Sequence, residues 1–228
     1  MKKLWMTFAL ALAGSFCLPA YASTINIDLN SVYTGATPTG PMPWLQAEFA
    51  YNLGDTSGTL TLTSKLSGSD FVQGGKNVKA ATGWAFYLDP LLQSATCTGG
   101  TNCADHAFIQ NYLNSGPTGL GDYNLGFTWS KNGPGGRFVA GDTAIYTLMF
   151  ADPLSASPFV ANGAGFLSAA HIQGITGDAG DSSAWITDGG STPNDVPEPS
   201  QLSVLLVGLL ALSLMLYARR RAAVEPRV

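Results

Sequence analysis

Residues 24–29, TINIDL, alternate apolar and polar side chains at every position. A period of two puts Ile25, Ile27 and Leu29 on one face of an extended strand. The same period returns along the chain. Residues 44–53 set Leu45, Ala47, Phe49 and Tyr51 to one side, turn residues fill 52–58, and 59–66 alternate again, which predicts a hairpin. Residues 84–88 form a compact apolar strand ended by Asp89 and Pro90, and Tyr123, Leu125, Phe127 and Trp129 stripe one face of another. Residues 144–150, 169–175 and 184–187 complete the strands. Residues 30–43 read as a loop, and 106–113 is the one segment expected to form a short helix. Many short strands between turn signals predict an all-β fold, an antiparallel β-sandwich of jelly-roll type.

Composition sets the polarity of that fold. Between residues 23 and 195 there are five basic side chains (Lys65, Lys76, Lys79, Lys131 and Arg137) against thirteen acidic ones, a net charge near −8, compared with −4 for the whole chain. Five scattered cations make a poor partner for nucleic acid, whose binding depends on neutralising phosphates. Twelve of the thirteen acids are Asp, and Asp belongs to turns more than to helices.

Both termini carry address signals. Lys2 and Lys3, an apolar stretch over 4–18 and the triplet Ala20-Tyr21-Ala22 have the layout of a secretory signal peptide over 1–22. Cleavage is expected after Ala22. Cys17 follows Phe16, where a lipobox needs a small residue. The β-domain is then expected over 23–187, with a flexible Gly/Ser/Thr/Pro linker over 188–195. Residues 202–218 hold no Asp, Glu, Lys or Arg. As a helix they would span roughly 25 Å, slightly short of a hydrocarbon core, with Tyr217 and Arg219 able to make up the difference at the interface. Arg219, Arg220 and Arg221 place the following residues, 222–228, on the cytoplasmic side and the β-domain outside it. Pro197 and Pro199 keep the lead-in extended, a shape that an enzyme cleft can grip.

Val196-Pro197-Glu198-Pro199-Ser200, a Leu-rich span and Arg219-Arg220-Arg221 occur in that order, and together they resemble the PEP-CTERM sorting signal of Gram-negative bacteria. Tyr217 before the arginines and the extension over 222–228 depart from the pattern. The resemblance covers residues 196–221 only. It implies processing by an exosortase near the Pro-Glu-Pro and an inner-membrane-anchored precursor. The destination it implies is the cell surface or extracellular matrix, in association with exopolysaccharide or biofilm. Residues 169–175 and 182–186 resemble a segment of other exported proteins with this tail, to which no activity is attached.

Few residues offer chemistry. Cys97 and Cys103 flank a tight loop, and in an oxidising compartment they are expected to pair, stabilising by about 2 kcal/mol. The alternative is a metal site of Cys97, Cys103 and His106 with His171 brought in by the fold, although structural zinc sites favour closer Cys spacing. His106 and His171 are the two histidines of the chain, and no Gly-x-Ser-x-Gly elbow accompanies them. Asp178 and Asp181 share a glycine-rich loop without the ordered oxygen ladder of an EF-hand. The single Glu between 23 and 195 speaks against a glycosidase pair. Thr59, Thr61 and Thr63 line one strand face roughly 6.5 to 7 Å apart. Threonine arrays of this kind suit ice binding, but one copy is what any half-buried strand looks like. Trp44, Trp84, Trp129 and Trp185 could stack on sugar rings, yet most lie on the apolar side of their strands, where they build a core. The reading is therefore a non-enzymatic, exported surface or matrix module with a structural or interaction role and no cofactor. A carbohydrate-binding module is the alternative, with a hydrolase or an ice-binding protein behind it.

Overall fold

The computed structural model describes residues 22–72, 83–114, 117–130, 136–176, 183–190 and 194–197, with backbone alone for 22, 110–114 and 194–197. Among the described residues there are strands and no helix. In chain order they are β1 (Ala22–Leu29), β2 (Ser31–Gly35), β3 (Leu45–Asn52), β4 (Ser57–Ser64), β5 (Phe71–Val72), β6 (Trp84–Phe86) and β7 (Leu92–Gly100). Then follow β8 (His106–Asn114), β9 (Asp122–Thr128), β10 (Phe138–Val139), β11 (Thr143–Phe150), β12 (Ser168–Gln173), β13 (Ser183–Thr187) and β14 (Asn194–Pro197). They make two antiparallel sheets. The first runs β14-β1-β3-β4-β11-β7; the second runs β10-β5-β12-β6-β9-β8, with β13 pairing to β12 and to β2. Ala22–Val196 is one compact unit.

Strand parity builds the core. Ile25, Ile27 and Leu29 of β1, Leu45, Ala47, Phe49 and Tyr51 of β3, and Leu60 and Leu62 of β4 all turn inward and are buried. The second sheet answers with Trp84, Phe86, Leu125, Phe127, Ala170 and Ile172. Phe127 of the second sheet lies 4.3 Å from Tyr146 of the first, Trp129 stacks on Phe138 at 4.5 Å, and Phe49 of the first sheet meets Phe159 edge-on at 5.2 Å. The expected hairpin is present, with Phe49 opposite Leu60 and Ala47 opposite Leu62.

In the second sheet one pair of neighbouring strands is interrupted. β5 and β6 both pair with the same side of β12, with Val72 opposite Ile172 and Trp84 opposite Ala170. β9 and β10 repeat the pattern beside them, with Phe127 opposite Trp84 and Phe138 opposite Val72. Gly83 sits at the break. A Cβ there would collide with the Phe127 carbonyl oxygen, so only glycine lets the strand resume at this spacing.

Buried amides close the irregular ends. Asn124 donates to the Leu88 carbonyl at 2.6 Å and accepts from the Leu88 amide at 2.8 Å, standing in for a ladder partner. Asn162 donates to the carbonyls of Leu120 and Asp122, and its Oδ1 accepts from the amides of Ala164 and Phe166.

Three local readings need correction. Residues 106–113 form strand β8, not a helix. His106 and Phe108 turn outward while Ala107 and Ile109 pack on the core, a period-two pattern that the partner β9 enforces over the weak helical one. Within the expected loop over 30–43, Ser31–Gly35 adds to the edge of β13, although few of its side chains reach the core. Thr98, Gly99 and Gly100, read as part of a loop between the cysteines, belong to β7.

Candidate functional site

A two-sheet fold normally keeps its outer faces polar. The second sheet does not. Ala85, Leu120, Tyr123 and Ala169 are fully buried in a cluster separate from the main core, with Tyr87, Phe108, Phe166 and Trp185 packed against it and partly exposed. Register explains the arrangement. Ala169 faces Ala85, Ala85 faces Gly126, and Gly126 faces Phe108, so a floor of small residues crosses three strands and ends against the Phe108 ring on the fourth. No Asp, Glu, Lys or Arg occurs in β2, β6, β8, β12 or β13, and Asp122 is the one charged residue of β9. In a domain this acidic, an uncharged aromatic outer face is the least expected part of its surface.

The most ordered part of the face is a pair of rings. His171 of β12 stands directly opposite Trp185 of β13, and the two rings stack at 4.8 Å with an interplanar angle of 16°. Gln173 Nε2 lies 3.3 Å from His171 Nδ1. The amide N–H donates, so Nδ1 accepts and the ring proton belongs on Nε2. Burial lowers the His171 pKa from its ordinary value, which keeps the imidazole neutral in the stack. On one flank Tyr33 meets Phe166 edge-on at 5.8 Å, and its hydroxyl donates to the Thr118 carbonyl at 3.0 Å. On the far side His106 lies against Phe108 at 5.7 Å. Tyr123, beneath, donates to the Leu120 carbonyl, and burial raises its pKa so that it remains a neutral phenol.

The two histidines share this face but do not meet. β6 and β9 lie between β12 and β8, a separation of roughly 14 Å at the usual strand spacing. Among the described residues no carboxylate hydrogen-bonds either ring. A shared general-acid, general-base or metal-binding role for the pair finds no geometry here.

The cysteines sit elsewhere, where the chain crosses from β7 in the first sheet to β8 in the second. Cys97 and Cys103 form a disulfide with a Cα–Cα distance of 6.2 Å, so neither sulfur is available as a thiolate ligand. Around the bond every element is tied down. Asn102 donates to the Arg137 carbonyl and to Asp142 Oδ2, at 2.9 and 2.8 Å, and its own carbonyl accepts from Trp129 Nε1 at 3.1 Å. The Tyr146 hydroxyl accepts from the Ala104 amide at 2.7 Å, and burial pushes its pKa up to about 12. Asp105 Oδ2 accepts from the Ser130 amide at 2.6 Å. This cluster is a structural clamp. Among the described residues no group of three or more His, Cys, Asp or Glu side chains is placed to hold a metal ion.

Trp44, Trp84 and Trp129 are core residues, leaving Trp185 as the tryptophan at the surface cluster. Ala22 opens β1, and Val196 and Pro197 close β14. Ala20, Glu198, Pro199, Arg219, Arg220, Arg221, the apolar run over 202–218, and Asp178 and Asp181 lie outside the described residues. Sequence reading did not single out the aromatic face as a unit. Its local signal was a ring at an outward position on two strands, His171 and Trp185. No family model, curated protein or solved structure matches this chain.

Proposed function

We propose that this chain is an exported surface or matrix protein, sorted through its tail by an exosortase. In this reading its β-domain is a non-enzymatic module that contacts exopolysaccharide through the aromatic face of the second sheet. The observation that carries the binding reading is the uncharged face around Trp185 and His171. Sugar rings present C–H groups to aromatic faces and hydroxyls to amides and imidazoles, and Gln173 and His171 supply the latter beside the rings. The sorting reading rests on Val196, Pro197, Glu198, Pro199 and the three arginines. It implies a membrane-anchored precursor and a mature protein at the surface of a Gram-negative cell. In this reading the β-domain is a jelly-roll-like sandwich, and the precursor carries a signal helix before it and a membrane helix after it.

Two experiments test this. Co-sedimentation of the full-length protein, in non-ionic detergent, with exopolysaccharide from the producing cells should retain protein in the polymer pellet without new reducing ends. Trp185→Ala should weaken retention about tenfold, the value of one aromatic contact. Reducing ends that appear with the wild type and vanish with His171→Ala would mean a hydrolase. Separately, replacing Pro197, Glu198 and Pro199 with Ala should leave uncleaved protein in the membrane fraction. Unaltered release would remove the exosortase from the reading.

A further inference from the structure

The opposite outer face, on the first sheet, has a different chemistry. β4, β11 and β7 are adjacent there and contain no Asp, Glu, Lys or Arg. Six of their outward positions are threonines, interrupted by Ile145 and Gly99 and followed by Met149, Ser57 and Ser94. Thr59 stands opposite Thr147, and Thr147 opposite Thr96, a row across three strands. Thr63 stands opposite Thr143, and Thr61 opposite Ile145 between the two rows. Glu48 of β3, opposite Thr61, marks the edge of the patch. The single threonine stripe of β4 is therefore one column of a two-dimensional array. Threonines repeat about every 6.7 Å along β4 and about every 4.8 Å across the Thr59–Thr147–Thr96 row, while on β11 Ile145 separates Thr143 from Thr147.

Thr143 Oγ1 accepts from the Thr101 amide at 3.3 Å, whereas the other hydroxyls of the array are free. Thr59, Thr61, Thr63, Thr96 and Thr147 make no side-chain hydrogen bond to the protein among the described residues, and none of their oxygens is a buried, unpartnered atom. β4 and β11 pack mainly on strands of their own sheet, and β7 adds β8, so none of the described elements covers this face. Threonine is stiff at χ1, which holds each methyl and hydroxyl where the backbone puts it.

We infer that the outward face of β4, β11 and β7 binds ice. A repeat in two directions distinguishes a surface for a lattice from a site for a molecule. The two spacings are close to oxygen repeats on ice prism planes. The methyls exclude loosely held water while the hydroxyls anchor the ordered layer. The patch is as uncharged as the lattice, in a domain that is otherwise strongly acidic. Crystalline polysaccharide fits less well, because no ring projects from these strands: Tyr146 and Phe150 turn inward. A second copy of the chain fits less well too, because hydroxyls that are already well hydrated give little drive to association. This site is independent of the aromatic face.

Ice-affinity partitioning tests the inference. Full-length protein in non-ionic detergent is exposed to a slowly growing ice surface beside serum albumin in the same detergent. The wild type should be enriched in the ice. Thr59→Tyr and Thr147→Tyr, which strands tolerate well but which break the flat array, should each drop to the albumin level while the emission maximum of the buried tryptophans is unchanged. Trp185→Ala, on the other sheet, should partition like the wild type. Wild type left in the liquid, or tyrosine variants still enriched, would overturn the assignment. So would a dimer, or retention on crystalline cellulose, that both tyrosine variants abolish while ice partitioning does not change.

Discussion

Ser168 offers a sharp energetic test because one oxygen joins two elements inside the core. Its hydroxyl accepts from Trp84 Nε1 at 2.9 Å and donates to the Ala85 carbonyl at 2.8 Å, and both Trp84 and Ser168 are completely buried. Ser168→Ala removes that oxygen and leaves almost no cavity. The indole N–H then has no partner and no water, a cost of about 1–3 kcal/mol. The Ala85 carbonyl loses a donor but keeps a second lone pair for the sheet, so its share is small. A net loss of about 2 kcal/mol follows, which with a urea slope of about 2 kcal/mol per molar lowers the midpoint by about 1 M. Trp84→Phe deletes the orphaned donor. In that background Ser168→Ala should cost little, giving a coupling of about 1–2 kcal/mol in a double-mutant cycle. The assay is urea unfolding of the full-length protein in detergent, followed by near-ultraviolet circular dichroism. Equal costs of Ser168→Ala in the wild-type and Trp84→Phe backgrounds would refute the relay and leave Ser168 as a small core residue.

Two further outcomes follow from other parts of the domain. Replacing Cys97 and Cys103 together with Ala should destabilise by about 2 kcal/mol, the value for closing so short a loop, and should raise amide exchange at the β7–β8 crossover in mass-spectrometric mapping. The His171 pKa is depressed by burial, so the unfolded chain takes up its proton first as pH falls. Stability should decline below about pH 6.5 until the folded-state value is reached, and a series of urea midpoints should show that slope flattened by His171→Asn.

What sequence periodicity conveys is parity. Alternation in residues 24–29, 44–53 and 59–66 correctly assigned the inward set of β1, β3 and β4, because a strand with one dry face must repeat at two. Parity was weaker where inward residues are small or few. β7 reads LQSATCTGG, and only Leu92, Ala95 and Cys97 reach the core, so its strand was invisible beside the more conspicuous cysteine pair. β8 carries His, Gln and Asn between its apolar residues, and a short helical period fitted them until β9 supplied a partner.

Neighbours are a different matter, because they depend on register between segments far apart in the chain. Thr59 is local to Thr61 and Thr63, and their spacing is legible in five residues. Thr147 and Thr96 lie far from them in sequence and become adjacent only when β11 inserts between β4 and β7. Judged as one stripe, the threonines looked like any half-buried strand; judged with the row that Thr59, Thr147 and Thr96 make across three strands, they are a surface. The same step joins Trp185 to His171 and excludes His106 from them. Both faces thus arise from long-range pairing of outward residues that carry no charge. A substitution that slipped β11 by one residue would turn Thr147 inward and Leu148 outward, losing the array and part of the core together. Selection for a stable core therefore also holds the threonine rows in register, and the outward identities remain free to be set by what the surface meets.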